Sequence, residues 1–164
     1  MGAALAAFGL LGLFLQATGL EQQRIGYSTE QRPITVYAVG TGSYNVVIVG
    51  GIHGAYEANS SWLVWELLTA YRREPQAIPP QLKLFFLPEA NPDGLRNGTR
   101  FLADGVDANR NWPTADWSAA SYAPGFVRLE DGGGREPLSE PETVALADFI
   151  TAVRPRAVLS YHSA

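Results

Sequence analysis

The chain contains two histidines, and each follows an apolar run that reads as a buried strand. His53 comes after Val46-Val47-Ile48-Val49 and a Gly50-Gly51 pair, and His162 comes after Ala157-Val158-Leu159. The loops beyond strand ends are where open α/β sheets hold their ligands. One carboxylate, Glu57, lies four residues beyond His53. Two imidazoles and one carboxylate form a three-ligand zinc set that leaves a position open for water, the pattern of catalytic sites. A single histidine is ordinarily a packing residue. Both histidines of a chain at strand ends, one with an acid beside it, point instead to a metal.

A long segment, residues 88–138, is rich in Gly, Pro, Asn and Asp. Structureless stretches of this length are uncommon in compact domains unless they serve function. It holds Asn91-Pro92-Asp93-Gly94, which reads as a turn after a strand, then Arg100, then Gly105-Val106-Asp107-Ala108-Asn109-Arg110-Asn111-Trp112-Pro113. Asn109 and Arg110 side by side offer an amide and a guanidinium fork, which suit a carboxylate through paired hydrogen bonds. Taken alone, Arg110 reads rather as a solvated loop arginine. Trp112, directly after the pair, is placed to line a cleft.

The elements that must position these groups follow an α/β order. Pro33–Val39 alternates apolar and polar residues and reads as an edge-type strand, with residues 24–31 as a polar lead-in. Tyr44–Val49 and Leu82–Leu87 are continuous apolar runs, as for strands covered on both faces. Residues 57–73 carry Trp62, Leu63, Trp65, Leu67, Leu68 and Tyr71 and read as a largely buried helix. Ser139-Glu140-Pro141-Glu142 opens another helix, with Ser139 as cap, Glu142 completing a capping box and Pro141 in the first turn. Val144, Leu146, Phe149, Ile150 and Val153 give its apolar side, Pro155 stops it, and residues 157–161 form the last strand. The expected fold is α/β, a mixed central sheet with flanking helices.

Composition narrows the function. The chain is 46% hydrophobic and 17% charged over 164 residues, which suits one globular domain. A net charge of −4 without a basic stretch argues against a nucleic-acid surface. The absence of cysteine removes disulfides, thiolate metal sites and thiol nucleophiles. Residues 2–15 are almost wholly Ala, Gly, Leu and Phe, the length of a signal-peptide core and short for a bilayer span. Residues 1–20 therefore read as a signal peptide or N-terminal membrane anchor, and residues 21–164 as the folded domain. The expected location is secreted or extracytoplasmic, with membrane contact only through that first segment.

The set His53…Glu57, Asn91-Pro92-Asp93-Gly94, Arg100, Gly105 through Trp112, Ser139-Glu140-Pro141-Glu142 and Leu159-Ser160-Tyr161-His162-Ser163 strongly resembles the zinc metallocarboxypeptidases of the carboxypeptidase A type, peptidase family M14. Order and approximate spacing agree from about Ile25 onward. The resemblance implies that His53, Glu57 and His162 hold one Zn²⁺. It implies that Asp107 accepts from the first histidine and fixes its tautomer. Asn109 and Arg110 would grip the terminal carboxylate of a peptide substrate, and Arg100 would stabilise the developing oxyanion. The implied reaction is hydrolysis of a C-terminal peptide bond.

Two departures accompany the resemblance. The family places its glutamate three residues after the histidine, whereas Glu57 is four after His53, with Tyr56 intervening. Glu66 and Glu89 are poorer ligands, one far along the helix and the other outside the motif. The family's general-base glutamate and substrate-contacting tyrosine lie downstream of its last histidine, and nothing in this chain matches either. That implies a C-terminally truncated, N-terminal part of an enzyme, with an open apolar sheet edge. Two other functions remain open: a zinc amidohydrolase acting on cell-wall peptides or acyl amino acids, and an inactive zinc-binding fragment.

Overall fold

The computed structural model describes residues 20–163. The leader or anchor expected over residues 1–20 lies outside the described residues, except for Leu20. Among the described residues, no helix is long and apolar enough to cross a membrane.

Among the described residues, seven strands and three α-helices run in the order β1 (Glu21–Tyr27), β2 (Pro33–Val39), β3 (Tyr44–Val49), α1 (Ala58–Arg73), β4 (Leu82–Leu87), α2 (Pro92–Asn97), β5 (Ser121–Ala123), β6 (Val127–Leu129), α3 (Pro141–Val153) and β7 (Ala157–Ser160). The main sheet has the order β1-β2-β4-β3-β7. β1 and β2 pair antiparallel, as do β2 and β4, whereas β3 runs parallel to both β4 and β7. This is the mixed sheet expected from the α/β order.

Period-two alternation divides the apolar strands between two layers. Val47 and Val49 of β3 and Phe85 and Leu87 of β4 face α3, where Ala145, Leu146 and Phe149 complete the packing. Ile48, Leu84 and Phe86 face α1, against Val64 and Leu68. Phe85 and Phe149 meet edge to face at 5.5 Å, a favoured aromatic geometry.

Several local expectations are corrected. The lead-in is a strand, β1, so β2 lies inside the sheet rather than at its edge. β1 reads as polar because an edge strand covers little apolar surface, and its register shifts between Arg24 and Gly26. Trp62 and Leu63 of α1 are exposed, as is Val144 of α3, so each helix buries a narrower stripe than its apolar count suggests. The Asn91-Pro92-Asp93-Gly94 turn is the start of α2: Asn91 Oδ1 accepts from the Gly94 N–H at 2.7 Å, and Pro92 occupies the first turn. Asp93 then takes the Ser28 hydroxyl at 2.6 Å, the Glu30 N–H at 2.9 Å and the Arg32 guanidinium at 2.6 Å, fixing the turn between β1 and β2. β5 and β6 form a small hairpin inside the long loop.

The start of α3 differs most. Ser139 does not cap it, and the expected capping box is not made. Glu140 occupies the cap position without a side-chain cap bond, and Glu142 accepts from the Thr29 N–H at 2.9 Å instead. The fully buried Asn111 takes over from a distance. Its Oδ1 accepts from the Glu140 N–H at 3.2 Å and the Thr143 hydroxyl at 2.6 Å. Its amide lies within reach of the Gly133 and Glu136 carbonyls, each at 2.9 Å, and of Ser139 Oγ at 3.0 Å. One side chain thus joins the long loop to the helix. Asn111→Ala leaves buried backbone groups unpaired, and we expect a loss of about 2–3 kcal/mol in urea unfolding.

Glu140 is 6% exposed. Burial, reinforced by the neighbouring Asp104 carboxyl, pushes its own carboxyl up to about 7. The folded protein retains a proton that the unfolded chain releases near the ordinary value of 4.5. Stability contributed here therefore falls as pH rises from that value through about 7. Glu140→Gln is expected to narrow the difference in melting temperature between pH 5 and pH 8, while an unchanged difference would show that the carboxyl ionises freely.

Candidate metal centre

The site begins with strand register. β3 and β7 are adjacent and parallel, with Val49 opposite Ser160. The Tyr161 N–H donates to the Val49 carbonyl at 2.9 Å, extending the ladder past the strand ends. Parallel neighbours carry their following loops out of the same edge of the sheet. His53 and His162 therefore emerge side by side, with ring centroids 4.9 Å apart.

Two glycines let the first loop turn sharply. Gly51 has φ +68°, and a Cβ there would meet the Pro88 carbonyl at 2.9 Å. Gly54 has φ +49°, and a Cβ there would meet the Thr99 carbonyl at 2.4 Å. From the second glycine the loop closes into a 3₁₀ turn, Gly54–Glu57, tied to the Arg100 segment by the Ala55 N–H donating to the Thr99 carbonyl at 3.0 Å.

That turn accounts for the extra residue between His53 and Glu57. Across it, His53 Nδ1 lies 2.7 Å from Glu57 Oε1. His162 Nδ1 lies 3.0 Å from Glu57 Oε2. One ligand atom from each of the three residues falls within 4.8 Å of the others. His53 and Glu57 are buried and His162 is exposed, so the cluster is open on one side. Glu89, the rejected alternative, instead accepts from the Trp65 indole at 3.1 Å.

The donor set fits a zinc ion: two neutral-capable imidazole nitrogens and a carboxylate, brought together by the backbone. Burial pushes the Glu57 carboxyl up, but the hydrogen bond and charge of His53, the Ser163 N–H and His162 outweigh it and hold it below the ordinary range. The carboxylate is thus kept in the anionic form that a metal would require.

Behind His53, Nε2 lies 3.2 Å from Asp107 Oδ1 and 2.8 Å from an Arg100 guanidinium nitrogen. That nitrogen can donate to Asp107 or accept from Arg100, but not both. A cation on Nδ1 leaves the proton on Nε2 and selects Asp107. Asp107 is fully buried; desolvation raises its carboxyl, but His53, the Asn109 N–H and Arg100 overcome that and bring it down to about 2. Arg100 also donates to Asp107 Oδ2 through Nε at 3.2 Å and a terminal nitrogen at 3.1 Å.

Beside the cluster, a cavity of about 660 Å³ is lined by Asn109 and Arg110 together with Ile52, Trp112, Ser160 and Trp117. Trp112 is held by its indole donating to the Ala108 carbonyl at 2.8 Å. His53, Glu57 and His162 are brought together with Arg100 and Asp107 through the contacts above, whereas Asn109, Arg110 and Trp112 line the neighbouring cavity. Asn111, Tyr56 and Ser160 were given no role by sequence reasoning. Asn111 stands inside the same motif as Asn109 and Arg110, but its partners Gly133, Glu136 and Thr143 are distant in sequence. Ser160 Oγ, 3.3 Å from His162 Nε2, reaches the second histidine from two residues away.

The comparisons with known proteins agree with this geometry. The sequence profile described as "Zinc carboxypeptidase" (Peptidase M14) matches residues 17–164. Murein peptide amidase A of Escherichia coli K12 is 36% identical over 126 residues, covering 71% of this chain and 48% of that protein. Carboxypeptidase A1 of Mus musculus is 32% identical over 164 residues, covering 85% of this chain and 38% of that protein. The chain thus spans less than half the length of these two relatives. Among solved structures, thrombin activatable fibrinolysis inhibitor superposes with a TM-score of 0.75 at 23% identity, covering 90% of this chain and 43% of that one, a likeness of fold. The murein-tripeptide amidase from Escherichia coli O157 gives a TM-score of 0.63 at 28% identity, covering 87% and 60%. With its paired histidines and intervening glutamate converging at the end of a mixed sheet, the chain belongs to the zinc carboxypeptidase family, M14.

Proposed function

We propose that the protein hydrolyses an amide bond next to a free carboxylate at the end of a peptide, with one Zn²⁺ held by His53, Glu57 and His162. The observation that carries this reading is the convergence of the three groups, with Nδ1 of both histidines turned to one carboxylate. Bound zinc supplies Lewis acidity to a carbonyl and lowers the pKa of a coordinated water. Asp107 holds His53 in the tautomer that leaves Nδ1 free to ligate. Asn109 and Arg110 hold the terminal carboxylate in the adjoining cavity and so set the register of the bond to be cut. Arg100 supplies positive charge where the carbonyl oxygen becomes anionic.

A second reading concerns the substrate. The likeness to murein peptide amidase A supports a cell-wall peptide as the chain that offers the carboxylate. Export through a leader at residues 1–20 accords with such a substrate and is tested by N-terminal sequencing of the product found outside the cytoplasm. Assays on a blocked dipeptide, its C-terminal amide, an acyl amino acid and a cell-wall tripeptide, each with and without a zinc chelator, separate the readings. Indifference to the free carboxylate would count against a carboxypeptidase. One-to-one zinc binding without any cleavage would identify a binding fragment.

Two outcomes follow for the site residues. Calorimetry should give one zinc per chain, lost in His162→Ala, and Asp107→Ala should weaken zinc binding about 10–100-fold. Arg110→Ala should weaken binding of a peptide with a free C-terminus about 10–100-fold, the range for a charged hydrogen bond, and leave its C-terminal amide unaffected.

A further inference from the structure

We propose that Tyr56, the extra residue between His53 and Glu57, is a positioning residue whose ring holds the Arg100 guanidinium at the mouth of the site. The role rests on the hydrolase reading above, because it matters where a tetrahedral anion must meet Arg100. Successive residues of a 3₁₀ turn are about 120° apart. With Glu57 turned inward to His53, Tyr56 is turned outward, and its ring lies 5.5 Å from the Arg100 guanidinium carbon. That separation is within cation–π range. Tyr56 is 56% exposed, and its hydroxyl makes no hydrogen bond among the described residues. An aromatic ring kept at the surface with an unused hydroxyl fits a role for its face.

Arg100 needs such a restraint. Its Nε and one terminal nitrogen are engaged along one edge by Asp107 Oδ2. Its other terminal nitrogen is 3.6 Å from Glu57 Oε1, too far for a good hydrogen bond, and so remains available to a ligand. The contact to His53 Nε2 at 2.8 Å is the one it cannot keep once Nδ1 ligates a cation, because Nε2 then carries the proton. Asp107 alone would leave the guanidinium plane free to tilt about that edge. The Tyr56 ring lies against it and limits the tilt.

The test uses the zinc-loaded chain with Tyr56→Phe and Tyr56→Leu. The Arg100 Nε–H resonance, assigned through Arg100→Lys, should lose its ring-current shift in the Leu variant and keep it in the Phe variant. A peptide analogue with a phosphonate in place of the scissile carbonyl should bind the Leu variant about 2–5-fold more weakly and the Phe variant like the parent. The free C-terminal amino acid, which is held through Asn109 and Arg110, should bind all three alike. An unmoved Arg100 resonance in Tyr56→Leu, equal loss of both ligands, or a Phe variant as weak as the Leu variant each overturns the proposal. A parent chain that does not bind the phosphonate overturns the hydrolase reading, while the resonance still decides whether Tyr56 holds Arg100.

Discussion

The parallel ladder between β3 and β7 is the constraint on which the metal centre depends. These strands lie more than a hundred residues apart in the chain, yet Val49 and Ser160 are direct partners. β3 is buried over Val47–Val49, whereas β7 at the sheet edge is exposed along its length, so their register rests on the ladder itself, continued at its two ends by the Arg156 N–H to the Asn45 carbonyl and the Tyr161 N–H to the Val49 carbonyl; a shift of one residue would turn every side chain to the opposite face. His53 and His162 can share one carboxylate only in the observed register. The burial of Val47 and Val49 against α3, and of Ile48 against α1, anchors β3, the strand on which that ladder is built. The ladder sets the distance between two candidate ligands that have no local connection in the chain.

The second requirement is a rigid long loop. Asp107, Asn109 and Arg110 belong to no strand or helix, and a loop without its own ladder of hydrogen bonds is ordinarily mobile. Asn111 substitutes for regular structure by joining the loop to two carbonyls, a backbone N–H and two hydroxyls, all from residues 133–143. The Asp107 N–H donates to the Gly132 carbonyl at 2.8 Å, and the Asn109 N–H donates to Asp107 Oδ1 at 2.9 Å. The same residues that hold the loop also aim it at His53. Packing and polar satisfaction are coupled here, so a defect in the α3 start is transmitted to Asn109 and Arg110.

Charge is distributed according to the same plan. Glu57 and Asp107 are buried acids kept ionised by cationic or donor neighbours, at the place where a metal needs anionic support. Glu140, equally buried but facing another carboxyl, is pushed the opposite way. Burial acts in the same direction on all three, and the neighbours decide the outcome.

The apolar strands, the helices over residues 57–73 and 141–153 and the three groups that converge at the candidate centre were legible in the sequence, because they depend on residue identity and local periodicity. The edge strand β1 was not, since Glu21–Tyr27 buries too little apolar surface to show a pattern. Nor was the start of α3, where Ser139 carries a local cap signature but Asn111 supplies the hydrogen bonds from across the fold. The sequence determined which groups could bind zinc and a carboxylate. Only the tertiary structure decided that Glu57, at its unusual spacing, reaches both histidines, because that depends on a 3₁₀ turn held by Thr99 and on the registration of two strands from opposite ends of the domain.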